Sequence, residues 1–256
     1  MQGNRMRALV ERNEVQIGTW INMVRDPAIL MLLKSAGLDF ARVDMEHTGA
    51  TIETIANMAL VARAIDFPIV VRPPRANREW ITRLLDVGVY NLHCPQIESA
   101  AHAREVVAAS RYAPVGLRGL GGLGPSTDFE PVGPAEKRKF ANSQVFVTAM
   151  LETGAAFDDL EEIAAMDGID ALTLGPADLA QDLGVWGTPE QNRVLDEKRQ
   201  QILDAAKRHG KTCAMLVSSA EETKKWKEAG ALLLAYSNEV EVLHEAYSRT
   251  IATLRG

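Results

Sequence analysis

The chain has 256 residues, with 28 Lys+Arg against 34 Asp+Glu for a formal charge of −6, and 46% of it is hydrophobic, enough for a large core. The acidic balance speaks against a surface that neutralises nucleic-acid phosphates and favours a small-molecule substrate. No apolar stretch approaches the roughly 18 residues of a bilayer span, and residues 1–12 lack the apolar centre of a signal peptide. Cys94 and Cys213 lie far apart and outside any CxxC, so neither a thiolate zinc site nor a disulfide framework is expected, and a reducing cytoplasm fits.

Short apolar runs alternate with longer segments of helical period, the pattern of βα units on a parallel sheet. Strands are predicted over 15–20, 40–44, 68–72 and 90–95, followed by helices over 27–36, 51–64, 77–87 and 99–110, with Asn77 a suitable N-cap. Residues 111–134 hold six of the 19 glycines and four of the 11 prolines, too many for the interior of an element. Gly119–Gly124 satisfies GxGxxG, but no strand enters it and no helix follows at once, so the dinucleotide fingerprint fails its context. A mobile flap beside a site is the expectation for such a loop. Alternation resumes with strands at 145–151, 171–174, 212–217 and 232–235. Helices are expected near 155–165, 190–209 and 220–229, and a final one over 240–254. Eight strands with their helices match a single (β/α)₈ TIM-barrel domain over 1–256 with an extra C-terminal helix; a doubly wound open sheet is the rival.

In such barrels the site lies at the C-terminal ends of the strands. Those ends read Asp44-Met45-Glu46-His47, Arg72-Pro73-Pro74, Pro95-Gln96, Glu152-Thr153, Gly175-Pro176-Ala177-Asp178 and Ser237-Asn238-Glu239. Glu152 and Asp178, from consecutive strands, repel each other unless a cation lies between them, and a hard divalent ion suits the pair; alternatively Asp178 caps the turn at 179–183. Arg72 is suited to an anionic oxygen, or else pairs with Glu46 or Asp44. His47 is the one histidine at a strand end, a candidate general base or else a hydrogen-bonded loop residue. His93, within strand four, reads as packing, as does Cys94. All nine lysines fall in helices or turns, which leaves no Schiff-base lysine.

The ordered set Gly18-Thr19-Trp20, Asp44-Met45-Glu46-His47, Val71-Arg72-Pro73, Leu84 to Gly88, Pro95 to Glu98, Arg111-Tyr112, Gly116 to Gly119, Leu151-Glu152-Thr153 and Gly175 to Leu179 resembles the HpcH/HpaI aldolase family, the metal-dependent pyruvate aldolases, over nearly the whole chain. The resemblance implies that Glu152 and Asp178 hold Mg²⁺, Mn²⁺ or Co²⁺, which chelates pyruvate. It implies that Arg72 holds the keto oxygen and steadies the enolate, and that backbone amides around Gly175, Pro176 and Ala177 receive the carboxylate. Trp20 is counted with the substrate-binding residues. His47, oriented by Asp86, would assist proton transfer through a water on the ion. Members are hexamers, and apolar positions of the last helix, among them Val240, Leu243, Tyr247 and Ile251, suit packing on a neighbouring subunit or within the chain. The implied reaction is retro-aldol cleavage of a 4-hydroxy-2-keto acid. Met150 stands where many members have Gln, and Met45 where many have Gly. The first of these keeps open an alternative: a citrate synthase of siderophore pathways that works without added metal.

Overall fold

The computed structural model describes residues 1–256. Strands β1 (Gln16–Ile21), β2 (Phe40–Asp44), β3 (Ile69–Arg72), β4 (Asn91–Cys94), β5 (Phe146–Leu151), β6 (Ala171–Leu174), β7 (Thr212–Val217) and β8 (Leu233–Asn238) are all parallel. They close in sequential order, with β8 paired back onto β1. The barrel is the predicted (β/α)₈ architecture, and the open-sheet rival is excluded.

The twelve helices are α1 (Arg5–Glu11), α2 (Ile29–Ser35), α3 (Ile52–Ala64), α4 (Arg78–Asp86), α5 (Ala100–Ser110), α6 (Pro134–Gln144), α7 (Gly154–Asp158), α8 (Leu160–Ala165), α9 (Pro176–Asp182), α10 (Gln191–Arg208), α11 (Ala220–Ala229) and α12 (Glu239–Arg255). No helix is long and apolar enough to cross a membrane. Several starts are fixed by side-chain caps: Asn77 accepts from the Trp80 amide at 3.1 Å, and Thr51, Ser99, Thr153, Ser219 and Asn238 act alike, satisfying amides that have no helical partner.

The period of two along each strand sorts side chains into two cores. Outward residues such as Val43, Val71, Leu92, Val147 and Leu172 join the large cluster beneath the helices. Inward residues Phe40, Val70, Phe146, Ala171, Ala214 and Leu233 fill the lower barrel, stoppered by Met6 of α1. Gly18 is required in β1 because a Cβ there would strike the Phe40 ring. Above this plug the inward positions turn polar, and the cavity begins.

Three expectations change. Helices α1, α6 and α9 were not predicted; their buried faces are small, Met6 and Leu9 in the first, Lys137 and Ala141 in the second and Leu179 and Ala180 in the third, too few for a periodic signal. The glycine-rich loop follows α5 and so lies at the N-terminal ends of the strands, away from its own chain's rim. There Lys137 donates to the carbonyls of Gly121 and Gly122 at 2.9 and 2.8 Å, and Arg118 binds Asp86 at 2.8 Å; it is not a flap over that site. Finally, α12 buries little but Glu239 and leaves Val240, Leu243, Tyr247 and Ile251 exposed, so the intrachain packing role for its apolar face is set aside.

Candidate active site

At the C-terminal rim a cavity of about 480 Å³ is lined by residues from all eight strands or the turns that follow them, including Trp20, His47, Arg72, Gly175 and Asp178. Arg72 closes β3 and points inward in phase with Val70. Its Nε and Nη2 donate to the two oxygens of Asp44, each at 2.8 Å, and its Nη1 lies 3.2 Å from Glu46 Oε2. The guanidinium stacks on Trp20, 4.7 Å from the ring centroid. Both acids foreseen as pairing partners therefore hold Arg72. They fix its plane and leave N–H groups beyond those used by Asp44, so fixation and anion recognition are compatible. Burial alone would raise Asp44, but the Arg72 fork and the Glu46 backbone N–H hold its carboxyl below the usual range.

Glu152 directly follows β5 and is 2% exposed. Its Oε1 accepts from the Gln96 amide at 2.5 Å, and Gln96 takes a positive φ of 52° to present that N–H. Its Oε2 is buried with no partner. Burial lifts the Glu152 carboxyl to about 7 against the Gln96 bond, with Asp178 and Glu46 adding repulsion. Burial also raises Glu46, with Asp44 and Asp178 contributing. A Cβ on Gly175 would overlap Glu152 Oε2 and the end of Met150, so the glycine is what lets this carboxylate stand in the cavity.

Asp178 is the third residue of α9, whose first position is Pro176 and whose N-cap is Gly175 without a side-chain bond. It is therefore not the helix cap. It is exposed at the rim, and the first-turn amides of Ala177 and Asp178 have no partner within their helix. Glu152 and Asp178 thus face one rim. The orphaned Glu152 oxygen, the mutual repulsion and the all-oxygen donor set fit a hard divalent ion completed by water or ligand. No cluster of three or more His, Cys, Asp or Glu forms a closed metal cage.

His47 sits beside Glu46, Nε2 to Oε2 3.6 Å, largely exposed to the cavity. Asp86 does not reach it within one chain. Helix α4 runs back from the rim, so its last residue lies at the opposite end, where Arg118 engages it. Met45 points outward into the helix-facing core, so that departure from the family pattern leaves the cavity untouched. Met150 does enter it, its sulfur 3.1 Å from His93 Nε2. Cys94 is buried and its thiol is pushed up to about 12, consistent with packing. Glu239 is structural: its carboxylate accepts from the amides of Asn22, Met23 and Val24 at 2.6–3.0 Å and ties down the loop after β1.

Two cavity residues went unrecognised in the sequence, Arg42 and His93. Arg42 is in phase with Asp44 along β2, and His93 is flanked by the outward residues Leu92 and Cys94. A polar residue on the inward phase of an otherwise apolar strand was the available signal.

The chain matches the HpcH/HpaI aldolase/citrate lyase family over residues 16–246. It is 32% identical to a 4-hydroxy-2-oxo-heptane-1,7-dioate aldolase of Shigella sonnei, covering 95% of this chain and 92% of that one. To a hydroxypyruvate/pyruvate aldolase of Roseovarius nubinhibens it is 31% identical, over 98% and 97%. The crystal structure of an HpcH/HpaI aldolase from Desulfitobacterium hafniense superposes with a TM-score of 0.93 at 31% identity, covering 99% and 97% of the two chains. The citrate synthase SbnG, with a TM-score of 0.87 at 24% identity over 98% and 97%, shares the fold. The chain is a member of the HpcH/HpaI aldolase/citrate lyase family.

Proposed function

We propose that this chain is a lyase that cleaves a 4-hydroxy-2-keto acid to pyruvate and an aldehyde, and runs the reverse condensation, with a divalent ion such as Mg²⁺, Mn²⁺ or Co²⁺ held by Glu152 and Asp178. The observation that carries this reading is the buried, unpartnered Glu152 oxygen facing Asp178 at the rim. The ion, when bound, supplies Lewis-acid polarisation of the keto acid. Arg72, locked by Asp44 and Glu46, turns its remaining N–H groups to the keto oxygen and steadies the charge that grows there as the C3–C4 bond breaks. The electron pair of that bond passes to the enolate, which is protonated at C3 to give pyruvate. Amides of Ala177 and Asp178, behind Gly175 and Pro176, receive the carboxylate. Trp20 forms the wall behind Arg72, and His47 Nε2 takes the 4-hydroxyl proton.

We further propose a homo-oligomer, a hexamer by family resemblance, in which the exposed apolar face of α12 is covered. In it the Asp86 that orients His47 has to come from a neighbouring copy. Two free, buried, distant thiols suit the cytoplasm.

Pyruvate release from a panel of 4-hydroxy-2-keto acids tests the reaction. Release is expected, abolished by a chelator and restored by Mn²⁺. Arg72→Lys, which keeps the charge but loses the fork, is expected to lower kcat by about 10²-fold. Chelator-indifferent condensation of oxaloacetate with an acetyl donor, without pyruvate release, would replace this reading with the citrate-synthase alternative.

A further inference from the structure

The cavity contains two arginines, and they are not alike. Arg72 at the rim is engaged by two acids. Arg42, one inward step below Asp44 on β2, is 2% exposed and lines the same cavity. No acid or carbonyl of the chain accepts from it, and its Nε is sealed without a partner. Its guanidinium lies over the faces of Trp20 and Phe40, 5.5 and 5.7 Å from their centroids. Beside it stands His93, whose Nδ1 is likewise buried and unpartnered and whose ring meets Trp20 edge-on at 5.2 Å. Thr173 lines the cavity from β6.

A buried cation without a counter-charge is costly to keep, and burial beside Arg72 pulls Arg42 down to about 9. Burial and the two arginines press His93 well below its ordinary range, so the imidazole adds no second charge and stays able to accept or donate one hydrogen bond. The floor therefore presents one fixed cation, a neutral hydrogen-bonding ring and an aromatic wall, and it lacks an anion. Two residues along a strand span about 6.6 Å, short enough for one small dicarboxylic acid to reach from the rim to the floor.

We propose that Arg42 is a specificity-determining residue that receives a second anionic group, carried on C3 of the acid whose first carboxylate is held at the rim. The ligand class is thus a 2-keto or 2-hydroxy acid bearing a carboxylate at C3, in preference to one ending in a methyl group, and a 4-hydroxy-2-keto acid carrying that group at C3 would release the four-carbon keto diacid in place of pyruvate. This rests on the reading of the cavity as a 2-keto-acid site, yet it is tested by binding and not by turnover.

The probes are malate and lactate, which differ by the C3 carboxylate alone and undergo no aldol cleavage, titrated calorimetrically into the full chain with Mg²⁺. Malate, in at least one enantiomer, is expected to bind at least about tenfold more tightly than lactate. Arg42→Met is expected to bring malate to the affinity of lactate while leaving lactate within about twofold, and to raise Tm because an unpaired buried charge is gone. Arg42→Lys is expected to retain part of the preference. Equal binding of malate and lactate by the unaltered chain would overturn the proposal whether or not the variants fold. So would a parallel loss of both ligands in Arg42→Met accompanied by a lower Tm, which marks a structural arginine. Malate preference in a chain that releases no pyruvate would leave this subsite standing and remove the aldolase reading.

Discussion

The two ends of the barrel handle charge in opposite ways. At the N-terminal end each buried ion is matched by an opposite charge or a carbonyl, although Arg7 and Arg118 each keep one unpartnered Nε. Asp170 accepts from Arg7 at 2.7 Å, from Arg111 at 3.2 Å and from the Val147 amide at 2.7 Å; Arg63 binds Asp128; Arg118 binds Asp86. At the C-terminal end Arg72 is matched, but Glu152 has a bare oxygen, Arg42 has no acid, and Glu46 and Asp178 add like charge around Glu152. Closed networks hold the closed end together, whereas the open valences mark where a ligand completes the set. Several motif residues, Arg111, Arg118 and Asp86 among them, belong to the closed end of their own chain, so a motif by itself does not say which end it serves.

The contrast is sharpest where a closed network is broken. Asp170→Ala leaves Arg111 buried without a counter-charge, held only by Ser110 and the carbonyls of Val145 and Gly168, and is expected to cost about 3–5 kcal/mol in denaturant unfolding, with kcat of the folded fraction unchanged. A loss of activity without a loss of stability would erase the distinction between the ends. A smaller effect concerns pH. The Glu152 carboxyl sits at about 7 in the folded chain against an ordinary 4.5, so its ionisation opposes folding. The penalty is absent below 4.5, grows as pH rises from there to about 7, and is then constant, at most about 3 kcal/mol. Chelator-treated protein is expected to lose stability across that window relative to Glu152→Gln, and saturating Mn²⁺ to remove the difference. Parallel stability profiles for the two chains would show that this carboxylate is not the strained group.

How much of this was legible in the sequence follows from the physics of each feature. The eight strands were readable as short apolar runs because barrel strands are buried on both faces, and most helices because they carry an apolar stripe or a capping side chain. The rim acids, Arg72 and His47 were readable because strand ends in a barrel converge. Helix α1 was hidden because seven residues are too few for a periodic signal, and α6 because nearly all of its surface is polar. The placement of 111–134 was misjudged because composition marks a loop without saying which end it occupies; its position after α5 does. The role of Arg42 was hidden because charge inside a strand signals either a partner or a ligand, and only the surrounding strands reveal that the partner is missing. The caps showed the same limit: Asn77 caps as expected, while Asp178, equally eligible, sits three residues past the N-cap Gly175 of α9.

The central claim is that Glu152 and Asp178 form one cation site. Calorimetric titration of Mn²⁺ into chelator-stripped protein addresses it without reference to any substrate. One ion per chain is expected, with Glu152→Gln and Asp178→Asn each weakening binding by more than about tenfold. Unchanged Mn²⁺ affinity in both variants would contradict it.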